Sequence, residues 1–392
     1  MKSLLTLGRQ PKIGIAELES MFGADAVQPY GAQAVFLDIE AEKVPFTRLG
    51  GSTRLCRVLA ELPGVQWPAV RDYIVKTIPE HEQYVPDGKL TIGLSLLGVK
   101  ANVKDIERCL LTAKKAVKAL DRSVRIVPNK QPELNAAQII HNDLTGTNGW
   151  ELVVVSDGKT AWLCQTTDVQ DIEAYAARDQ ARPYRDARVG MLPPKLAQTI
   201  INLASANTEP AKTLVLDPFC GTGVVLQEAT LMGYDVYGTD LEPRMIEYSV
   251  GNLHWLREKT ENVGEYVRIE VGDATKHRWH NQPDVVACET YLGQPYATLP
   301  PLDQLKKNIQ YVNNLHEAFL RNIHQQITSG TRLCIAVPAW RTKTGFTHLP
   351  VLDQLPQLGY NRVKFVHVGK QDLVYHRENQ IVARELVVIV KD

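Results

Sequence analysis

The chain carries no excess of either charge: 44 lysines and arginines balance 44 aspartates and glutamates. The total therefore announces no polyanionic partner, which has to be sought in a local patch. No two cysteines stand at C-x-x-C spacing. Cys56, Cys109, Cys164, Cys220, Cys288 and Cys334 are scattered, which argues against a zinc site and a disulfide framework and leaves them as small core residues in a reducing compartment. No apolar run approaches the roughly 18 residues of a membrane span. The apolar stretch in MKSLLTLGRQPKIG is too short for a secretory signal, so a cytoplasmic location is expected. Internal repeats and low-complexity tracts are lacking too. With 392 residues, 44% of them hydrophobic, there is core enough for two or three domains.

One further lack is the most informative. Residues 213–241 read TLVLDPFCGTGVVLQEATLMGYDVYGTDL. A short apolar strand ends at Asp217, Gly221 and Gly223 make a tight loop, a helix follows, and a second strand ends at Asp240, beside Leu241. This is the nucleoside-binding unit of a doubly wound sheet. A dinucleotide site wants a third glycine for close packing of helix on strand; here that position is Leu226. Asp217 would also repel a pyrophosphate. Two acids and an open glycine backbone suit a nucleoside that carries an amino acid, and that ligand is S-adenosylmethionine. The plainer alternative is a Rossmann turn serving another ligand.

Ligands in such a sheet sit beyond the carboxyl ends of the strands. Asp273, in Gly272-Asp273-Ala274, is expected to bond the adenine amino group, with Ala274 offering a backbone N–H. The fourth strand end reads Glu289-Thr290-Tyr291-Leu292-Gly293-Gln294-Pro295-Tyr296, where a transferring enzyme places its target. An exocyclic amine needs a fixed acceptor for its hydrogens and an aromatic face for its base. Glu289 suits the first role and Tyr291 or Tyr296 the second, core packing being the alternative for both tyrosines.

Along the chain, strands are expected at 4–7, 34–39, 53–61, 89–97 and 123–127, with helices at 13–21 and 70–78. Asp105 is expected to cap a helix whose Ile106, Leu110, Ala113, Val117 and Leu120 recur at helical spacing. Residues 151–156 and 161–165 read as a hairpin around Asp157-Gly158. Residues 179–194, rich in proline and arginine, read as a linker. A helix at 195–204 leads into strands at 214–217, 236–239, 267–271, 284–288 and 331–337, with a helix at 303–328. A hairpin of 363–368 and 383–390 would close a seven-stranded sheet.

At this point the chain resembles the THUMP-domain tRNA guanosine-10 N2-methyltransferases. LDPFCGTGVVLQEA at 216–229 is similar to their cofactor motif. RDQARPYRDARVGMLPPKLAQTIINLA at 178–204 is similar to their R-x-x-R-P linker and following helix. RLGGSTRLCRVLAEL at 48–62 and LTLGRQPKIGIAELES resemble their N-terminal domain, and TTDVQDIEAYAARD at 166–179 the end of the THUMP domain. The resemblance implies a ferredoxin-like domain at 1–64, a THUMP RNA-binding domain at 65–170, a linker at 171–194 and an α/β Rossmann-fold methyltransferase domain at 195–392. It puts Asp217, Gly221, Gly223, Asp240 and Asp273 at the cofactor, with Met191, Pro193 and Lys195 near its methionine end. Its partner is tRNA, joined in some relatives by a small activator protein; a monomer is expected.

The resemblance breaks at one place. Where the family reads D-P-P-Y, this chain has Glu289-Thr290-Tyr291-Leu292. Both stiffening prolines are absent and the acid is one methylene longer. The loop has been rebuilt for the same task, or serves a different base amine, or the protein binds tRNA with little catalysis. A local basic patch does exist. Lys114, Lys115, Lys118, Arg125 and Lys130, with the linker residues Arg178, Arg182, Arg185 and Arg188, are expected to meet phosphates and position the RNA by shape; a solvated helix face is the plainer alternative.

Overall fold

The computed structural model describes residues 2–186, 191–260, 263–296, 298–343, 345–378 and 380–392. It divides into two compact units that do not follow chain order. The first comprises Met1–Pro11, Asp25–Thr47 and Ser52–Ala174; the second Lys12–Ala24, Arg48–Gly51 and Tyr175–Asp392.

The first unit is built on eight strands: β1 (Ser3–Leu7), β2 (Val27–Tyr30), β3 (Ala34–Leu37), β4 (Ser52–Glu61), β5 (Leu90–Leu97), β6 (Val124–Ile126), β7 (Gly149–Ser156) and β8 (Ala161–Val169). They form one sheet in the order β2-β3-β1-β4-β8-β7-β5-β6. The hairpin β7–β8 forms as its turn residues require. Asp157 accepts the backbone N–H groups of Lys159 and Thr160, each at 2.8 Å, and Gly158 takes a φ of +89°. The strand β4 pairs antiparallel with β8, so the strands from 3–61 and 90–169 share one ladder.

Helix α1 (Pro11–Phe22) falls almost wholly in the second unit. The helices α2 (Trp67–His81) and α3 (Val103–Lys118) belong to the first, with the short α4 (Ala136–His141) and most of its sequence neighbours. In α3, Ile106, Leu110, Ala113 and Val117 are buried as the spacing demands. Two expectations fail at its ends. The cap is Asn102, whose side chain accepts the N–H of Asp105 at 2.9 Å, so Asp105 is a first-turn residue. Leu120 lies past the last turn and is exposed.

The second unit is a mixed sheet of β9 (Leu214–Asp217), β10 (Asp235–Asp240), β11 (Tyr266–Val271), β12 (Val285–Glu289), β13 (Arg332–Arg341), β14 (Phe346–Thr347), β15 (Tyr360–Arg362), β16 (Val374–Tyr375) and β17 (Val382–Lys391). Its main path runs β11-β10-β9-β12-β13-β17-β15, with β14 added to β13 and β16 to β17. From β11 to β13 the pairing is parallel; β17 runs antiparallel to β13 and β15. Between β9 and β12 the order reverses, which opens a crevice at their carboxyl ends. The helices are α5 (Ile172–Gln180), α6 (Pro194–Ser205), α7 (Val224–Leu231), α8 (Pro243–Arg257) and α9 (Leu302–His324). All six cysteines are buried and unpaired, as core residues should be.

The closing strand is not 363–368 but Tyr360–Arg362. The reason lies in α1. Glu19 accepts the backbone N–H groups of Val366 and His367 at 2.8 and 2.7 Å, so those donors serve a carboxylate instead of a ladder. Two residues earlier on α1, the buried Glu17 accepts Gly50 N (2.9 Å), Gly51 N (2.7 Å) and Asn202 Nδ2 (2.7 Å). Burial still pushes its carboxyl above the ordinary range.

Candidate active site

The crevice holds a cavity of about 540 Å³, the size of a cofactor pocket. One end of it is built by the loop between β9 and α7. Asp217 closes β9, 2% exposed, and its Oδ1 accepts Phe219 N at 3.0 Å. Burial holds its carboxyl well above the usual range; that N–H opposes the shift, and the charges of Asp240 and Glu289 add to it. Gly221 has a φ of +50° and only Phe219 O, at 3.9 Å, near the place of a side chain, so its backbone faces the cavity bare.

Gly223 does a different job. At φ +81° it caps α7, and a Cβ there would lie 2.9 Å from Ser249 Oγ on α8, so it serves packing and does not line the cavity. The missing third glycine has been moved across the interface. Leu226 stands on α7, and Gly238 on β10 leaves it room: a Cβ at Gly238 would meet Leu226 Cδ1 at 2.5 Å. Helix and strand still pack closely, with the small residue on the strand.

Asp240 ties the loop to β10. Its Oδ2 accepts Gly221 N at 2.8 Å and its Oδ1 accepts Glu242 N at 3.0 Å. Burial raises its carboxyl pKa against the pull of those N–H groups. Leu241 is 63% exposed and offers the cavity an apolar face. Asp273 and Ala274 line the same end. Asp273 Oδ1 accepts the N–H and hydroxyl of Thr275 (3.0 and 2.7 Å), and Lys276 Nζ lies 3.2 Å from Oδ2; the Thr275 hydroxyl, above all, lowers its carboxyl pKa.

Two supports were not legible beforehand. Ser249 Oγ donates to Gly221 O (2.7 Å) and Asn252 Nδ2 to Thr222 O (2.8 Å), so α8 grips the loop through its carbonyls. Asn252 also exchanges hydrogen bonds with the backbone of Tyr184, which fastens the linker. The linker's cavity residue is Leu192; Met191, Pro193 and Lys195 stand beside it without lining the cavity. Arg188 and Gly190 lie outside the described residues.

The other end begins at Glu289, the last residue of β12. Arg384, on β17 two strands away, donates its Nε–H to Glu289 Oε1; both side chains are largely buried. Thr290 is bolted down twice. Its N–H donates to Ala336 O at 3.0 Å, and its hydroxyl lies 2.6 Å from Nε2 of the fully buried His316. His316 Nδ1 sits 2.7 Å from Val312 O, so Nδ1 carries the proton, and the Thr290 hydroxyl also lies 3.0 Å from Ala336 O. Burial pushes the imidazole down to about 4, which keeps it neutral. Gly293, at φ +81°, turns the loop against Asn308 and Val312 of α9. These contacts do the stiffening that two prolines would have done.

Of the loop tyrosines, Tyr291 is 41% exposed and lines the cavity. Tyr296 packs against the hydrophobic core and does not line it, so the core alternative holds there. The arginines of the linker are corrected likewise. Arg178 Nε pairs with the buried Glu228 at 2.7 Å, and Arg182 is 2% exposed, so neither presents a free guanidinium to a phosphate. In the first unit, Lys115, Lys118, Arg125 and Lys130 are exposed and Lys114 is half-buried.

The cavity is acidic, with Asp217, Asp240, Glu242, Asp273 and Glu289 among its residues and no lysine or arginine among those described. Such a lining fits a cationic sulfonium and an amino group and disfavours phosphate. Asp240→Ala is expected to weaken S-adenosylmethionine binding about a hundredfold, since it frees the backbone N–H groups of Gly221 and Glu242 together. Calorimetric titration with S-adenosylmethionine measures this; an unchanged Kd would overturn it.

A sheet in this order, with an acidic crevice at its switch point, is a doubly wound nucleoside-binding architecture. The model of the RMKL-like methyltransferase domain matches residues 182–357, and that of a DNA methylase family matches 107–251. The chain is 31% identical over 166 residues to a tRNA (guanine(10)-N2)-dimethyltransferase of Methanothermobacter thermautotrophicus, covering 41% of this chain and 43% of the relative. It is 30% identical over 192 residues to the Pyrococcus abyssi enzyme of the same name, covering 48% and 51%. The chain thus matches about half the length of these relatives. The fold is also similar, end to end, to TrmN from Thermus thermophilus, with a TM-score of 0.51 at 16% identity and all of both chains covered. Among the described residues, no helix is long and apolar enough to cross a membrane, and no cluster of side chains could hold a metal.

Proposed function

We propose that this chain transfers a methyl group from S-adenosylmethionine to the exocyclic N2 amine of a guanosine in tRNA, at position 10 as in its relatives. The observation that carries the reading is the continuity of one acidic cavity from Asp217 and Asp240 to Glu289 and Tyr291. Bound S-adenosylmethionine supplies an electrophilic methyl group on a sulfonium. Asp240 would hold the ribose, Asp273 and Ala274 the adenine edge, Leu241 its face, and Asp217 with Gly221 the amino-acid end. Glu289, with Oε1 committed to Arg384, offers Oε2 to the amine hydrogens. A fixed acceptor there orients the nitrogen lone pair and stabilises the positive charge that develops on it. Glu289 is also placed to take the proton that leaves nitrogen after transfer.

In this reading residues 1–64 form a ferredoxin-like domain and residues 65–170 a THUMP module. The exposed stripe of α3, Lys104, Arg108, Lys115 and Lys118, would meet phosphates with Arg125 and Lys130. Labelled methyl transfer to bulk tRNA, followed by nucleoside mass spectrometry, tests the function. N2-methylguanosine is expected with wild type and is expected to be absent with Asp217→Ala. A different methylated nucleoside would reassign the target amine, which the rebuilt loop makes the natural second reading. Binding of tRNA without any transfer would leave a tRNA-binding protein.

A further inference from the structure

A second exposed aromatic ring, Tyr311, stands at the cavity on α9. On α9, Lys307, Tyr311, Leu315 and Phe319 follow at i, i+4, i+8 and i+12, each beside the next on the helix surface. Phe319 is fully buried and meets Phe219, a cavity residue, edge to face at 5.0 Å. Leu315 and Tyr311 line the cavity above it, and Tyr311 is 62% exposed. Lys307 is exposed one turn further out. The face therefore passes from core, through an apolar wall, to an open ring and then a cation.

The loop opposite leaves a gap that this ring fills. At the place of the family's loop aromatic stands Leu292, half-buried and packed on the core with Tyr296. Tyr291 meets Tyr311 perpendicularly, with centroids 6.4 Å apart. Tyr291 thus supplies an edge and Tyr311 a second ring at right angles to it. A large aromatic ring left open at the rim of an acidic pocket, beside a lysine, has the composition of a base-stacking site.

We propose that Tyr311 is the base-stacking residue of the acceptor pocket, taking one face of the extruded purine while Lys307 faces the flanking phosphate. The proposal rests on the nucleic-acid reading above and adds a residue on a different element from the catalytic loop. Extrusion leaves the base without its stacking neighbours, and a protein ring replaces them.

The test compares Tyr311→Ala and Tyr311→Phe with wild type in methyl transfer to tRNA, alongside S-adenosylmethionine affinity and thermal melting. Tyr311→Ala is expected to lower kcat/KM for tRNA about tenfold to a hundredfold, with cofactor affinity and melting unchanged. Tyr311→Phe is expected to stay within about twofold of wild type, because the ring and not the hydroxyl stacks. An alanine variant as active as wild type overturns the proposal and leaves the enzyme reading standing. A phenylalanine variant as impaired as the alanine one also overturns it, by assigning the effect to the hydroxyl. Wild type that methylates no tRNA overturns both.

Discussion

Glu289→Gln is expected to lower kcat for methyl transfer by about a hundred- to a thousandfold, with cofactor affinity nearly unchanged. The substitution keeps the side chain's length and removes its charge. It puts an NH2 group where an acceptor is needed, either against the target amine or against Arg384, which then sits largely buried beside a neutral partner. A variant retaining a third of wild-type kcat would remove Glu289 from the chemistry. Glu289→Asp discriminates further. If the loop has been rebuilt around the longer acid, aspartate draws the carboxylate back from Arg384 and slows the reaction, despite restoring the family's residue. A displacement of about an ångström costs on the order of a hundredfold. The measurement in each case is single-turnover transfer at saturating cofactor and tRNA.

Arg178→Met is expected to lower the melting temperature at pH 8 by about 6 to 20 °C. Glu228 on α7 is 1% exposed and paired with Arg178. Removing one member of a buried ion pair costs about 3–5 kcal/mol, and each kcal/mol shifts the melting point of a unit this size by roughly 2–4 °C. The sign of the pH dependence follows from the carboxyl. Burial pushes Glu228 up to about 7, against the pull of Arg178 and Arg182. The native state therefore holds a proton that the unfolded chain releases near its ordinary value of 4.5. That contribution to stability is fully present below the unfolded pKa and is lost as pH rises through the folded one. Wild type should lose stability between about pH 5 and 7, and Glu228→Gln should flatten that slope. The Arg178→Met penalty should shrink toward pH 5, where the carboxyl is protonated without its partner. Melting curves across this range decide it; a penalty that does not shrink toward pH 5 would mean that Arg178 acts by its packing over the Tyr175 ring, 4.4 Å from the centroid, alone.

The glycine-loop end of the cavity was legible because its geometry is local. Asp217, Gly221, Asp240 and Leu241 lie within one strand-loop-helix-strand unit, where spacing along the chain is nearly spacing in the fold. The strands and helices around it were readable for the same reason. The Glu289 end was not, because its partners are remote. Arg384 reaches Glu289 from a strand 95 residues on, and His316 reaches Thr290 from the middle of a long helix. No local pattern distinguishes these two from ordinary core residues. Arg178 and Arg182 were misplaced as phosphate contacts because charge density in a linker does not reveal burial. The strand expected at 363–368 failed because its backbone donors are claimed by Glu19, a residue at the other end of the chain. In Gly238 the signal was present but on the wrong element: the small residue that lets α7 approach lies on the strand.

The carboxylates of α1 bear on the order in which the chain is made. Glu19 leaves the ribosome 347 residues before the backbone it finally binds at Val366, and Glu17 leaves 185 residues before Asn202. At a synthesis rate of 5–20 residues per second, the interval for Glu19 is roughly 20 to 70 seconds. During that time Glu19 lacks its final donors, whereas those of Glu17 at Gly50 and Gly51 follow it by only 33 and 34 residues. The second unit thus cannot complete itself as its segments emerge, and the Glu19 contact of α1 forms only after Val366 and His367 have been made.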